Sequence, residues 1–314
     1  MTEFLFAGEE DFPELLFYPR ENISEFEWEK PTTPLLVERE DVKSRDLSDS
    51  HSHYPTPKRI AMGHSEGKGI GFDYGYTTLD IALAPYYQKG HVLPMIDINA
   101  DYFDDNTWEA NLGVIARYIP KEAPVLPGLN MFYSWREGRR ANYQMLTIGF
   151  ELLGAVWDLR ANGYIPIGQR KHINRHKQKF PGGFESEIID NEFALSGFNA
   201  EVGVQFFQAG NFFLYAAGGP YYLTGPFDTK SWGVEGRLQP QYNDYITMNL
   251  SVSNDRIFGT IFRAELVLSV PLYNFTSMKN RSGPGKITNR QIYQPVKSFD
   301  PVMLSRGCCW NGNF

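Results

Sequence analysis

Along much of this chain, apolar and polar residues alternate one by one. Leu129, Met131, Tyr133 and Trp135 alternate with Asn130, Phe132, Ser134 and Arg136. Leu146, Ile148, Phe150 and Leu152 alternate with Met145, Thr147, Gly149 and Glu151, and Trp157, Leu159, Ala161, Gly163 and Ile165 with Asp158, Arg160, Asn162 and Tyr164. A period of two sends successive side chains to opposite faces of a sheet. The same reading predicts strands near residues 77–84, 96–102, 108–118, 194–206, 211–223, 232–239, 246–253 and 262–272. A weaker, proline-containing one is expected within 290–304. About twelve strands of about ten residues result, with no convincing helix. That length crosses a bilayer when the strand is tilted, and an even count returns the chain to the side it entered from. Residues 169–191 interrupt the pattern and read as a long polar loop, basic first and acidic later.

An alternating strand can lay its apolar face on a protein core or against lipid. The polar faces decide between them. They carry Asp80, Asp97, Asp101, Glu109, Arg117, Arg136, Glu151, Asp158, Arg160, Glu201, Glu235, Arg237, Arg263 and Glu265, and no lysine, although lysine is common elsewhere in the chain. A solvated sheet face carries lysine freely, whereas a lumen favours guanidinium groups that pair with carboxylates in a planar fork. The opposite faces are almost free of charge. The expected fold is all-β: a twelve-stranded antiparallel transmembrane β-barrel over residues 63–304, after a disordered segment at 1–62 and before a tail at 305–314. These charges are its candidate lumen-facing residues.

Composition agrees. Aromatic residues make up 15% of the chain, with 18 Tyr and 23 Phe, which suits strands and interfacial girdles. A net charge of −7 argues against nucleic acid as a partner. No run of about 18 apolar residues marks a transmembrane helix. The first sixty residues, with PTTP, SDSHSH and PTPK, lack sustained periodicity. Met1 to Leu5 is followed by Glu9, Glu10 and Asp11, without the basic and apolar regions of a secretory signal. Export therefore implies a start further upstream. The two cysteines, Cys308 and Cys309, are adjacent, which excludes a disulfide framework and reads as unreactive tail thiols.

Candidate chemistry is sparse. Gly63-His64-Ser65-Glu66-Gly67 matches the nucleophile-elbow pattern, but that pattern needs a strand-to-helix turn, and a strand follows here. His51 with His53, and His172 with His176, lack a third ligand and read as solvated loop histidines. No catalytic residue, cofactor or metal is expected.

The block Asn130-Met131-Phe132-Tyr133, then Gly149-Phe150-Glu151, then Trp157-Asp158-Leu159-Arg160-Ala161-Asn162-Gly163-Tyr164-Ile165-Pro166 resembles the β-domain of inverse autotransporters, the intimin and invasin family. RQIYQPVKSFDPVML resembles that family's closing strand. The resemblance spans roughly residues 65–304 and is strongest over 128–168. It implies a bacterial outer-membrane barrel, inserted by the barrel-assembly machinery, whose chain threads back through the pore to carry an extracellular passenger. After Leu304 only SRGCCWNGNF follows, too little for a passenger. The resulting expectation is a non-enzymatic outer-membrane barrel surrounded by lipid, with a pore-forming or surface-attachment role and a host or cell-surface partner at its loops. The alternatives are a barrel esterase or phospholipase, and a soluble β-rich binding protein.

Overall fold

The computed structural model describes residues 55–85, 89–121, 124–179, 185–272, 289–296 and 302–312. All of them lie in the compact unit Ser50–Phe314. Twelve strands close into one antiparallel barrel: β1 (Thr56–Gly67), β2 (Tyr76–Ala84), β3 (Val92–Phe103), β4 (Trp108–Tyr118), β5 (Val125–Glu137), β6 (Asn142–Gly154), β7 (Trp157–Ile167), β10 (Ser196–Ala209), β11 (Phe212–Thr224), β12 (Lys230–Tyr242), β13 (Ile246–Asp255) and β14 (Gly259–Pro271). Each strand pairs with its sequence neighbour except at two places. β7 pairs directly with β10, and β14 returns to β1, with Arg59 opposite Pro271 and Gly67 opposite Arg263. Closure leaves no strand edge exposed along the wall, the condition for spanning lipid with sheet.

Alternation along the strands sorts side chains by face. The exposed side holds Leu112, Val114, Leu129, Met131, Val202, Val234, Phe262, Leu266, Leu268 and Val270. The same side is rich in aromatics near the ends of the strands. Tyr102 stacks on Trp108 at 4.7 Å, and Phe198, Tyr222 and Trp232 form a cluster with centroids 5.1–5.8 Å apart. Tyr118, Trp157 and Tyr242 occupy the opposite ends of their strands, also exposed. From Trp108 to Tyr118 a strand tilted by about 45° rises roughly 24 Å, the height of the apolar band of an outer-membrane barrel.

The rim where the chain enters β1 is the entry rim. The other is the hairpin rim, because β8 (Lys171–Lys179) and β9 (Glu185–Ala194) rise from it between β7 and β10. The polar loop expected at 169–191 is thus two strands. They join β15 (Leu304–Gly312) in a separate sheet of order β15-β9-β8. Residues 305–312, expected as a tail, belong to that third strand.

Two further expectations change. The barrel begins at Thr56, not at residue 63, and the twelfth strand is β1. The segment expected as the closing strand instead holds a short helix, α1 (Asn289–Tyr293), and Gln294–Val296 follow it outside any strand. Its two prolines are compatible with that, since proline removes a ladder donor and β14 already has a partner in β1. The disordered segment expected at 1–62 lies outside the described residues up to position 54, as do His51 and His53; from Thr56 it is strand.

Candidate functional site: the occupied lumen

The inner face is a lattice of arginines and carboxylates. Arg59 of β1 lies 2.5 Å from Asp80 and 3.4 Å from Asp97. Arg117 and Glu151 pair at 2.5 Å, both fully buried. Arg136 faces Glu109 at 3.8 Å. Glu201 bridges Arg160 at 3.5 Å and Arg237 at 2.6 Å, and Arg160 also meets Asp158 at 3.0 Å. Asp101 accepts from Asn111, and Glu265 from Asn249. Arg263 lies over the Phe72 ring, near the Tyr76 hydroxyl. Glu235 is partly buried on β12, beside Arg237 in the same cavity wall. Each candidate named from the sequence therefore lies on the less exposed face of its strand, and most are tied into one network across neighbouring strands.

Sequence reasoning missed Arg59, Asn249, Asp255 and the tyrosines that complete the lattice. The Tyr215 hydroxyl donates to Asp158 at 2.7 Å and the Tyr221 hydroxyl to Asp255 at 2.5 Å. Tyr215 reaches inward because Gly203, diagonal to it on β10, has no side chain: a Cβ there would overlap the phenol. The signal for Arg59 was present, since Arg59, Ala61, Gly63 and Ser65 alternate with Ile60, Met62, His64 and Glu66.

Inside this lattice lies the chain's own C-terminal segment. At the entry rim, α1 packs Ile292 and Tyr293 against Ala84, Leu93, Met95, Ile115, Ile119, Leu126 and Leu153. Arg117 donates from Nη1 to the carbonyls of Ile292 at 2.6 Å and Gln294 at 2.9 Å. Gln291 Nε2 donates to the carbonyls of Gly154 and Ala155. At the hairpin rim, Val302, Met303 and Leu304 are buried among Ile70, Tyr143, Met145, Tyr164, Phe193, Leu195, Tyr221 and Leu223. There Arg136 Nη1 donates to the Val302 carbonyl at 2.5 Å, and the Val302 amide donates to both oxygens of Glu109 at 2.9 and 3.0 Å. The Leu195 amide donates to the Met303 carbonyl, and the Leu304 amide to the Gly71 carbonyl. Gly71 has φ +92°, and a side chain there would overlap the Met303 backbone, so only glycine fits. The segment is thus gripped at both rims, and apart from Gln291 and the packed apolar side chains these grips are on its main-chain groups. A cavity of about 190 Å³, lined by Asp80, Asp97, Asp158, Asn249, Glu265 and Gln294 among others, lies alongside it.

Residues 70–205 match the family model of the inverse autotransporter β-domain. This stretch, under half of the chain, is similar to that β-domain. The fold is that of an outer-membrane β-barrel. No curated protein matches the sequence. Among solved structures, a protein from a study of the in-meso crystallization of membrane proteins aligns at TM-score 0.55 and 15% identity, over 81% of this chain and 100% of that one. The NanC porin aligns at 0.37 and 10% identity, over 68% and 100%. The β-domain of the Bordetella autotransporter BrkA aligns at 0.32 and 12% identity, over 68% and 98%. The first of these shares the fold.

In this barrel the nucleophile-elbow pattern is part of a strand. Ser65 is fully buried on the inner face of β1, whereas His64 points outward to Thr77 and Glu66. The pair is therefore on opposite faces. His172 lies on β8, a strand and not a helix. Outside the spanning region, Asp105 in the β3–β4 turn accepts from Thr107 at 2.6 Å and from Arg139 at 3.4 Å. Burial pushes its carboxyl up, but the bonds from Thr107 and Arg139 together with the charges of Arg139 and Arg306 outweigh that and hold it below the usual carboxylate range.

Proposed function

We propose that this barrel is a polypeptide translocator that carries its own C-terminal segment through its lumen to the cell surface, without enzymatic chemistry. The observation that supports this is the grip on the chain at both rims through main-chain groups. Arg117 at one rim, and Arg136 with Glu109 at the other, hold carbonyls and an amide that every residue except proline offers in full. A lumen built to bind a solute would aim such charges at empty space. The short turns Ala155–Val156 and 243–245 fall at the entry rim, and the long excursion 168–195 at the hairpin rim. Outer-membrane barrels keep short turns inside and long loops outside, so the entry rim faces the periplasm. On this reading lipid contacts the apolar belt, the barrel-assembly machinery inserts the sheet, and a host or cell-surface partner meets the loops of the hairpin rim.

The test is an epitope tag placed after Phe314 in the full chain, expressed with an export signal. The tag is expected to be shaved from intact cells by added protease, while the barrel stays heat-modifiable on gels. A tag that becomes accessible only after outer-membrane rupture would end the translocator reading.

A further inference from the structure

β7 and β10 are hydrogen-bonded neighbours, with Tyr164 opposite Gly197. A turn of a few residues would join them. The chain instead builds the β8–β9 hairpin there, outside the barrel wall, and that hairpin holds the stretch of chain leaving the lumen. β15 runs antiparallel to β9 through nine consecutive pairs, from Leu304 opposite Ala194 to Gly312 opposite Ser186. The pairing begins one residue beyond the lumen grip on Val302 and Met303, so lumen and hairpin form one continuous track.

We propose that the β8–β9 hairpin is an exit-side template: it takes the emerging segment as an added strand by main-chain pairing and so holds it outside the membrane. This rests on the translocator reading and adds the element that makes exit directional. Strand addition of this kind recognises an extended backbone, not a particular sequence. The main-chain directions show which groups of β9 perform it. The Ala194 amide donates to Arg170 on the β8 side, and the Leu195 amide to Met303 on the β15 side. Because successive residues of an antiparallel strand address opposite neighbours, Phe193, Asn191 and Ile189 face β15, and Glu192 and Asp190 face β8. In β8, by the same alternation, His172 and Asn174 face β9, while Ile173 and Arg175 face the open edge. One side-chain latch supplements the ladder: Arg306 bridges Glu192 at 3.0 Å and Asp73 at 3.1 Å, tying the first turn of the exported strand to the hairpin and to the β1–β2 loop.

This geometry gives a matched pair of variants. Ile189→Pro removes a donor aimed at β15, and Ile173→Pro removes one aimed at the open edge of the same hairpin. Both are made in the full chain with the tag after Phe314, and the appearance of the tag on intact cells is followed after induction. I189P is expected to slow surface appearance at least fivefold while the barrel remains heat-modifiable; I173P is expected to match the unmodified chain. A third variant scrambles residues 307–312 without introducing proline and is expected to be displayed normally, since the template reads backbone. Equal display of I189P and I173P would overturn the template, as would loss of display in the scrambled variant. A tag hidden in the unmodified chain would instead overturn the translocator reading beneath it.

Discussion

Removing Arg117 should release the threaded segment at the entry rim, provided the partner it leaves behind is removed too. Arg117 is fully buried and makes four contacts that matter here: the pair with Glu151, the sulfur of Met95, and the carbonyls of Ile292 and Gln294. Replacing it alone strands the Glu151 carboxylate, which costs about 3–5 kcal/mol in barrel stability and would confuse any readout of the plug. The double variant Arg117→Met/Glu151→Leu replaces the pair by apolar groups of similar volume, a change that is often neutral. What is then lost is the grip. Hydrogen bonds from a charged donor contribute about 1.5–3 kcal/mol each, so the two carbonyl bonds hold α1 by about 3–6 kcal/mol. Even the lower figure corresponds to roughly a hundredfold change in an equilibrium. Hydrogen exchange followed by mass spectrometry on detergent-refolded protein reads this directly. The amides of Ile292, Tyr293, Gln294 and Val296 are expected to exchange about a hundredfold faster in the double variant, while peptides from β5 and β6 keep their protection. Unchanged exchange over 292–296, with the barrel intact, would refute the idea that Arg117 anchors the segment.

Two other perturbations follow from the same geometry. Leu266 lies mid-strand on the exposed face of β14, so Leu266→Arg should cost about 2–4 kcal/mol at the bilayer midplane. Glu265→Ala should be mild, because Glu265 and its partner Asn249 line the lumen cavity and water can take over the lost bond. Urea unfolding in lipid vesicles compares the two, and equal losses would reverse the assigned faces. The Asp105 carboxyl should titrate below the ordinary aspartate value of about 3.9, moving upward in Arg139→Ala, as followed by carbon NMR of the labelled side chain. Its depressed value means that the tether between the β3–β4 and β5–β6 turns is intact above the unfolded value and is lost as pH falls through the folded one. A midpoint at or above 3.9 would show that burial outweighs the Thr107 and Arg139 bonds.

The barrel wall was legible because period-two alternation is local. Met145 through Leu152 reveal their faces without reference to any other strand, and many of the lattice's arginines and carboxylates stood out at polar positions, though Arg59 and Asp255 did not. What stayed hidden depends on partners distant in sequence. β1 sits beside a proline-rich stretch and ends in His64 and Glu66, so its alternation fades where it passes beyond the apolar belt. β8 reads as polar on both faces because neither meets lipid; only pairing with β9 makes it a strand. The segment around Gln291 and Pro295 looked like a weak strand, since Ile292, Tyr293 and Val296 are apolar, but they pack into a lumen already walled. No local pattern separates a strand in the wall from a chain lying within it.

The join between β1 and β14 sets a clock on assembly. Arg59 waits for Pro271, almost the whole barrel later in synthesis, and a contact so distant in sequence forms late. Until then the sheet is an open trough, and everything beyond Leu272 can be laid into it from the side. Once the join zips, that entrance is gone. A tail already in the trough is enclosed at once, whereas a late one must be fed lengthwise past Arg117 and then Arg136. The timing of one seam thus decides between a loaded sheath and an empty one.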